Sequence, residues 1–377
     1  METRKYFLDW LRVGAFTLLI LFHVGMLYVT WPYNLKSSRL VPGLEWWMLT
    51  FSVWRMPLLF LISGAACRFL IGKLGPARFA LDRLRRMGPV VLFGMFVVIP
   101  PQTYVELVAK GLTHQGYLHF WWFSYLPADQ TLVAPLGKTM PTWDHLWFLV
   151  YLLVYSMLFA LTIALTRLWR GRLQEVDGYR VPIALLLVGP ALWLAASNVC
   201  IELSAPLTHN LVNDWGGHIK WIGMFAVGAI CATQTSFWDS LRNNRDRLAV
   251  AACVLLAVQS ASNGLVWSAV SGLYAWAAIC AICGYASRYL DRPSAVLSHL
   301  NVAVLPIYVL HQPILLIAAF WAFPLRLPLS IEALLLAGVT AFGSLALYEA
   351  AIRPFAISRF LFGLKIETRP LVLTRTA

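Results

Sequence analysis

Apolar residues run along this chain in blocks of about 20, with polar residues gathered between the blocks. Ten blocks are predicted to cross a membrane as helices: Phe7–Val29, Trp46–Ile71, Pro89–Val108, Leu146–Thr166, Val181–Val199, Ile219–Thr233, Leu248–Trp267, Gly272–Ala286, Val302–Phe323 and Ile331–Ile352. In lipid a backbone must satisfy its own hydrogen bonds, so continuous apolar runs of this length read as helices, and the lack of strict alternation excludes a β-barrel. Pro57, Pro306 and Pro313 fall inside blocks, which predicts kinked helices that line a cavity. The fold class is therefore all-α, a polytopic integral membrane protein whose kinked helices surround a central cavity, with one domain over residues 1–377.

Composition agrees: 60% of residues are hydrophobic, 12% are charged, and 17 Trp and 14 Tyr supply side chains suited to headgroup level. A net charge of +13 raises the question of nucleic acid, and the position of the charge answers it. The predicted loops and tails of one side hold 21 basic residues, among them Arg4, Lys5, Arg83, Arg86, Arg170, Arg172, Arg180, Arg369 and Arg375, against 5 on the other. That bias predicts both termini in the cytoplasm and explains the positive charge without a nucleic-acid partner. Arg4 and Lys5 ahead of an apolar run mimic a signal peptide. The run contains Asp9, Arg12 and His23 and shows no small-residue cleavage site, so it reads as an uncleaved first span. Cys280 and Cys283 have redox-motif spacing inside an apolar block and read as packing.

Within that frame a few ionisable groups lie too deep to be incidental. Arg12 and His23 bracket ten almost wholly apolar residues of the first block. Eleven helical steps rise roughly 16 Å, so an Arg12 at one face puts His23 near the bilayer midplane. Arg55 in the second block and His311 in the ninth fall at similar depth. Intramembrane ionisable groups are functional candidates; the plainer alternatives are a snorkelling Arg12, a packed His23 and an Arg55 paired merely to hold the bundle. Arg83 and Arg86 share one helical face at the cytoplasmic mouth of the third block, with the fork geometry that suits phosphate. Asp9 and Glu349 are expected as ion partners for Arg12, Arg83 or Arg86. The longest outer loop, Ala109 to His145, and the residues after it offer Trp121, Trp122, Trp143, Asp144, His145 and Trp147 as an aromatic, polar vestibule. Carboxylate and thiolate ligands are missing at mid-depth, so no metal site is expected, and Ser63-Gly64 lacks the glycine of a nucleophile elbow.

The motifs follow one another in a familiar order: Tyr6-Phe7-Leu8-Asp9 with Arg12 and His23; Arg55-Met56 with Phe60-Leu61-Ile62-Ser63-Gly64; Arg83-x-x-Arg86 ahead of Pro89; His145-Leu146-Trp147-Phe148-Leu149; Tyr308-Val309-Leu310-His311 with Pro313; Leu347-Tyr348-Glu349; and Phe362-Gly363-Leu364-Lys365. The chain resembles the membrane-bound acyltransferase-3 family over nearly its whole length, most closely the branch that succinylates osmoregulated periplasmic glucans. It departs at Gln312, where some relatives have a second histidine, and at Ala65, where the family usually has an aromatic. The resemblance implies acyl transfer from a cytoplasmic acyl-CoA, succinyl-CoA or acetyl-CoA, used as co-substrate with no tightly bound cofactor, to a glycan hydroxyl on the far side. It implies that His23 is catalytic and that Arg12, Arg83 and Arg86 serve the donor. His23 then acts either as general base or through an acyl-histidine, and His311, Arg55 or a backbone N–H is the candidate for the oxyanion. If the acyl group is succinyl, Arg55 is the candidate for its free carboxylate. A homo-oligomer is compatible with the sequence. The competing reading is a transporter or flippase for an anionic solute, with mid-membrane His and Arg as proton and substrate sites.

Overall fold

The computed structural model describes residues 5–169 and 181–365; Arg4, Arg170, Arg172, Arg180, Arg369 and Arg375 lie outside the described residues. Ten long helices appear: α1 Tyr6–Met26, α2 Leu44–Leu74, α3 Pro76–Ala109, α4 Trp147–Trp169, α5 Ile183–Leu203, α6 Trp215–Cys231, α7 Arg245–Ser260, α8 Gly264–Tyr289, α9 Ala295–Ala322 and α10 Leu329–Leu347. No strand occurs among the described residues. Eight of these helices are long and apolar enough to cross a membrane; α6 and α7, at 17 and 16 residues, fall short of that length. The protein is an all-helical, polytopic membrane protein.

Two boundaries correct the sequence reading. The expected turn between the seventh and eighth blocks, after Trp267, lies instead at Ala261–Asn263, so the eighth helix is a full 26 residues and the seventh is the short one. Ser262-Asn263-Gly264 carries the turn chemistry, with Gly264 at φ +53°, a conformation open to glycine. Leu265-Val266-Trp267 looked like the end of a span and in fact begins the next helix. The basic stretch with Arg83 and Arg86 is not a loop either. Gly75 at φ +73° ends α2, Pro76 opens α3 at its first turn, and α3 runs on into the membrane.

A five-residue π turn, Gly94–Val98, interrupts α3, and the carbonyls it displaces are capped from the outer loop. Trp121 Nε1 donates to the Phe96 carbonyl at 2.8 Å and Tyr125 Oη donates to the Met95 carbonyl at 2.8 Å. Elsewhere small residues bring backbones together. A Cβ on Gly64 of α2 would sit 1.9 Å from the Phe225 carbonyl oxygen of α6, and one on Gly228 of α6 would sit 1.9 Å from the Leu61 carbonyl oxygen of α2. Each helix therefore presses a glycine into the other's backbone, the close approach that membrane helices reach only with small side chains. This crossing sets the distance between the residues α2 and α6 carry into the interior.

Candidate active site

Two cavities meet in the interior. One, of about 520 Å³, opens at the basic end between α1, α2, α3, α4, α9 and the segment 359–365, and its polar wall holds Arg12, Arg83, Arg86, Asn301, Arg359 and Lys365. The other, of about 340 Å³, lies deeper and is lined by His23, Arg55, His145, His209 and Lys220 among aromatic and aliphatic side chains. Phe16, Leu59, Phe148 and Tyr308 line both, and their rings touch edge to face, with Phe16 5.3 Å from Tyr308 and 6.3 Å from Phe148 between centroids. These four residues form the neck between an arginine chamber and a histidine chamber. The path runs along α1 from Arg12 to His23.

The histidine chamber is built around a chain of hydrogen bonds whose direction the backbone fixes. His311 Nδ1 lies 2.6 Å from the Tyr308 carbonyl, one turn back on α9; a carbonyl only accepts, so Nδ1 carries the proton. In the neutral ring Nε2 then accepts, and it lies 2.8 Å from His23 Nδ1, which must donate. His23 Nε2 is left with a lone pair and no partner among the described residues, on the cavity wall. The two imidazole centroids are 4.9 Å apart, and the Tyr33 ring lies nearly parallel to His23 with centroids 6.0 Å apart.

Proline supplies the next anchor. Pro313 has no N–H to offer the Val309 carbonyl four residues earlier, and His145 Nε2 donates to that carbonyl at 3.0 Å instead. His145 Nδ1 is thereby an acceptor; it is buried, has no partner among the described residues, and its ring stands edge-on to His311 at 5.4 Å. Arg55 is 3% exposed, lies 4.2 Å from the Phe22 ring centroid, and has no acceptor for Nε or Nη1. No carboxylate pairs with it among the described residues.

The loop 204–214 roofs the chamber. Buried Asp214 ties it down by accepting from Thr208 N at 3.0 Å and from Tyr151 Oη at 2.8 Å. Loop residue His209 stacks on Trp147 at 4.3 Å, and its carbonyl accepts from Trp143 Nε1 at 3.0 Å.

Other expected residues fall differently. Asp9 does pair with Arg12, at 3.5 Å, and Asn301 bridges them, accepting from Arg12 at 2.9 Å and donating to Asp9 at 3.2 Å. Glu349 does not meet Arg12, Arg83 or Arg86: it sits in a π turn after α10, bonded to Arg353 at 2.7 Å and His299 at 2.8 Å. Arg86 is half neutralised by Asp82 at 3.0 Å, whereas Arg83 has no carboxylate partner among the described residues and an unpartnered Nε. Trp121 and Trp122 do not line the chamber; Trp121 caps the π turn of α3 and Trp122 packs against it with 58% of its surface exposed. Trp143 reaches the chamber only through His209. Asp144 accepts from Gln102 at 2.9 Å and Gln312 at 3.3 Å beside the Glu106–Lys138 pair, on the far side of the histidines. Of the six vestibule residues, His145 and Trp147 stand on the chamber wall.

An acyltransferase-domain family model matches residues 5–349, a span that takes in the histidine chamber and all of the arginine chamber except the segment 359–365. The chain belongs to this acyltransferase family. No curated protein and no solved structure matches it. Three features of the acyltransferase escaped the sequence reading. Lys220 on α6 obeys the rule that singled out Arg55, a lone charge in an apolar helix, and stands on the same cavity wall. His209 sits in a loop whose placement only the tertiary structure gives. Arg359 and Lys365 looked like ordinary basic tail, but the tail folds back onto α3, where Gly363 at φ +70° lies so close to the Arg86 carbonyl that a Cβ would be 2.5 Å from it.

Proposed function

We propose that this acyltransferase moves an acyl group from cytoplasmic acyl-CoA to a hydroxyl of a glycan on the opposite side of the membrane, with His23 as general base. The observation that carries the reading is the directed chain Tyr308 carbonyl–His311–His23, which leaves His23 Nε2 unprotonated on the wall of a chamber joined to an arginine-rich mouth. The polyanionic nucleotide of coenzyme A suits the arginine chamber, and the uncharged pantetheine arm suits the apolar neck. The thioester then stands in the histidine chamber. An alcohol oxygen attacks its carbonyl carbon while His23 Nε2 takes the alcohol proton; the C–S bond breaks and the proton passes to the departing sulfur. The imidazolium formed in between is stabilised through His311 by the Tyr308 carbonyl, which holds the place a carboxylate holds in a serine-protease triad. His145 Nδ1, an acceptor without a partner, suits a neighbouring hydroxyl of the sugar, and Trp147 offers it a ring face. Arg55 is the cation for negative charge that the acyl group brings or develops.

In this reading the protein lies in a bacterial inner membrane with both termini in the cytoplasm, the acyl group is succinyl, and the acceptor is an osmoregulated periplasmic glucan. The resemblance to the glucan-biosynthesis branch and the one-sided charge support these finer points. Transfer of labelled acyl from acyl-CoA to glucan oligosaccharide by protein purified in detergent tests the activity. Transfer without a sealed compartment is expected; transport without transfer would favour the flippase reading. Donor binding is tested at the mouth. Arg83→Ala is expected to raise the donor KM about 10- to 100-fold with a smaller change in kcat. Arg86→Ala should cost less, because Asp82 already neutralises much of that charge.

A further inference from the structure

The histidine chamber carries two cations and no acid. Besides Arg55, Lys220 is 9% exposed, and its ammonium donates to Asn198 Oδ1 at 2.7 Å and lies 4.9 Å from the Trp221 ring centroid. No Asp or Glu lines the chamber, and neither cation makes an ion pair among the described residues. The acids around it are engaged elsewhere: Asp214 with Tyr151 and Thr208, Asp144 with Gln102 and Gln312, and Glu202 with Ser268 at 3.5 Å. A guanidinium does not give up its proton, and a charge buried without a partner is strongly unfavourable, so the chamber is a preformed place for an anion.

The anion is not a phosphate of coenzyme A in this arrangement, because the arginine chamber lies on the other side of the neck. What enters the histidine chamber is the acyl end of the donor. We propose that Lys220, on the wall of the chamber that Arg55 also lines, forms an acyl-specificity site that takes the terminal carboxylate of a short dicarboxylic acyl group. The inference rests on the acyl-transfer reading for the route by which its ligand arrives. Lys220 spends one of its three N–H donors on Asn198 and has two for a ligand. Asn198 is itself fixed, its Nδ2 donating to the Ser268 carbonyl at 3.2 Å and Ser271 Oγ at 3.0 Å, so the ammonium is held in place before the ligand arrives. The chamber takes its two cations from two helices, Arg55 from α2 and Lys220 from α6, that are locked together at the Gly64–Gly228 crossing. A chamber of about 340 Å³ holds a four-carbon diacyl end and the attacking hydroxyl, and leaves two unmatched charges if the acyl end is neutral.

The test compares succinyl-CoA with butyryl-CoA, equal in carbon count and different in the terminal charge. Full-length protein in detergent is assayed for transfer to glucan oligosaccharide, and separately for protection from thermal unfolding by each thioester without acceptor. Wild type is expected to prefer succinyl-CoA by about 10- to 100-fold in kcat/KM. Lys220→Gln, which keeps a hydrogen bond to Asn198, should cut that preference about tenfold or more, while Lys220→Arg keeps most of it. Asn198→Asp, which supplies Lys220 with an internal carboxylate, should cut it likewise. Transfer by folded variants with an unchanged succinyl-to-butyryl ratio overturns the site and leaves acyl transfer standing. No transfer from either donor, with Lys220-dependent protection by succinyl-CoA over butyryl-CoA, overturns acyl transfer and leaves the site standing. Equal protection by the two thioesters together with equal transfer removes it.

Discussion

His23→Ala is expected to lower acyl transfer by about 10²- to 10⁴-fold in kcat, the usual range for removing a general base, with donor KM changed far less. The reason is directional. His23 stands at the end of a chain that starts at the Tyr308 carbonyl, and only its Nε2 faces the chamber without a proton. His311→Ala should cost less than His23→Ala, since it removes the acceptor that orients His23 and stabilises its charged form but leaves the base itself. A steady-state comparison of the two variants, each checked for thermal stability, reads both effects. Mass analysis of protein quenched during turnover adds a second readout: a base leaves no acyl group on the histidine, whereas nucleophilic catalysis leaves an acylated His23 peptide. Near-normal turnover by His23→Ala would end the proposed mechanism.

The second large effect is structural. Gly228→Ala should lower the apparent melting midpoint of the purified protein and reduce activity with it, because the added methyl would stand 1.9 Å from the Leu61 carbonyl oxygen. Backbone cannot swing aside as a side chain can, so α6 must move away from α2; overpacking of this kind costs about 1–3 kcal/mol. Gly64→Ala should act alike from the other helix. Gly72→Ala, on α2 with nothing within 4 Å of the new carbon, is the control and should be neutral or slightly stabilising. A Gly228→Ala protein as stable as the control would show that the two backbones are not in contact.

How much of this was legible in the sequence depends on the range of the interaction involved. The spacing of Arg12 and His23 was readable because both lie on one helix, where depth follows from residue count. The pairing of Asp9 with Arg12 was readable for the same reason. Glu349 was misassigned because its local i,i+4 partner, Arg353, was passed over, and because its other partner, His299 in the opening turns of α9, is set by the tertiary packing. The convergence of His23, His145 and His311 needed α1, α9 and the turn before α4 to be placed together. Even so, Pro313 already marked Val309 as a carbonyl looking for a donor. Trp121 looked like a sugar platform, and its role is to satisfy a carbonyl on α3. Lys220 is a different kind of miss: the rule that flagged Arg55 applied to it equally and was not followed through.

The ring of Phe16, Leu59, Phe148 and Tyr308 has an electrical consequence. A protein with a watery opening at each end would short-circuit any ion gradient the membrane stores, and a continuous file of water would carry protons fastest of all. A constriction walled by aromatic and aliphatic groups sheds water, so it insulates when empty. Loss of Phe16 and Leu59 bulk should therefore make the membrane leaky to protons before it makes the enzyme slow.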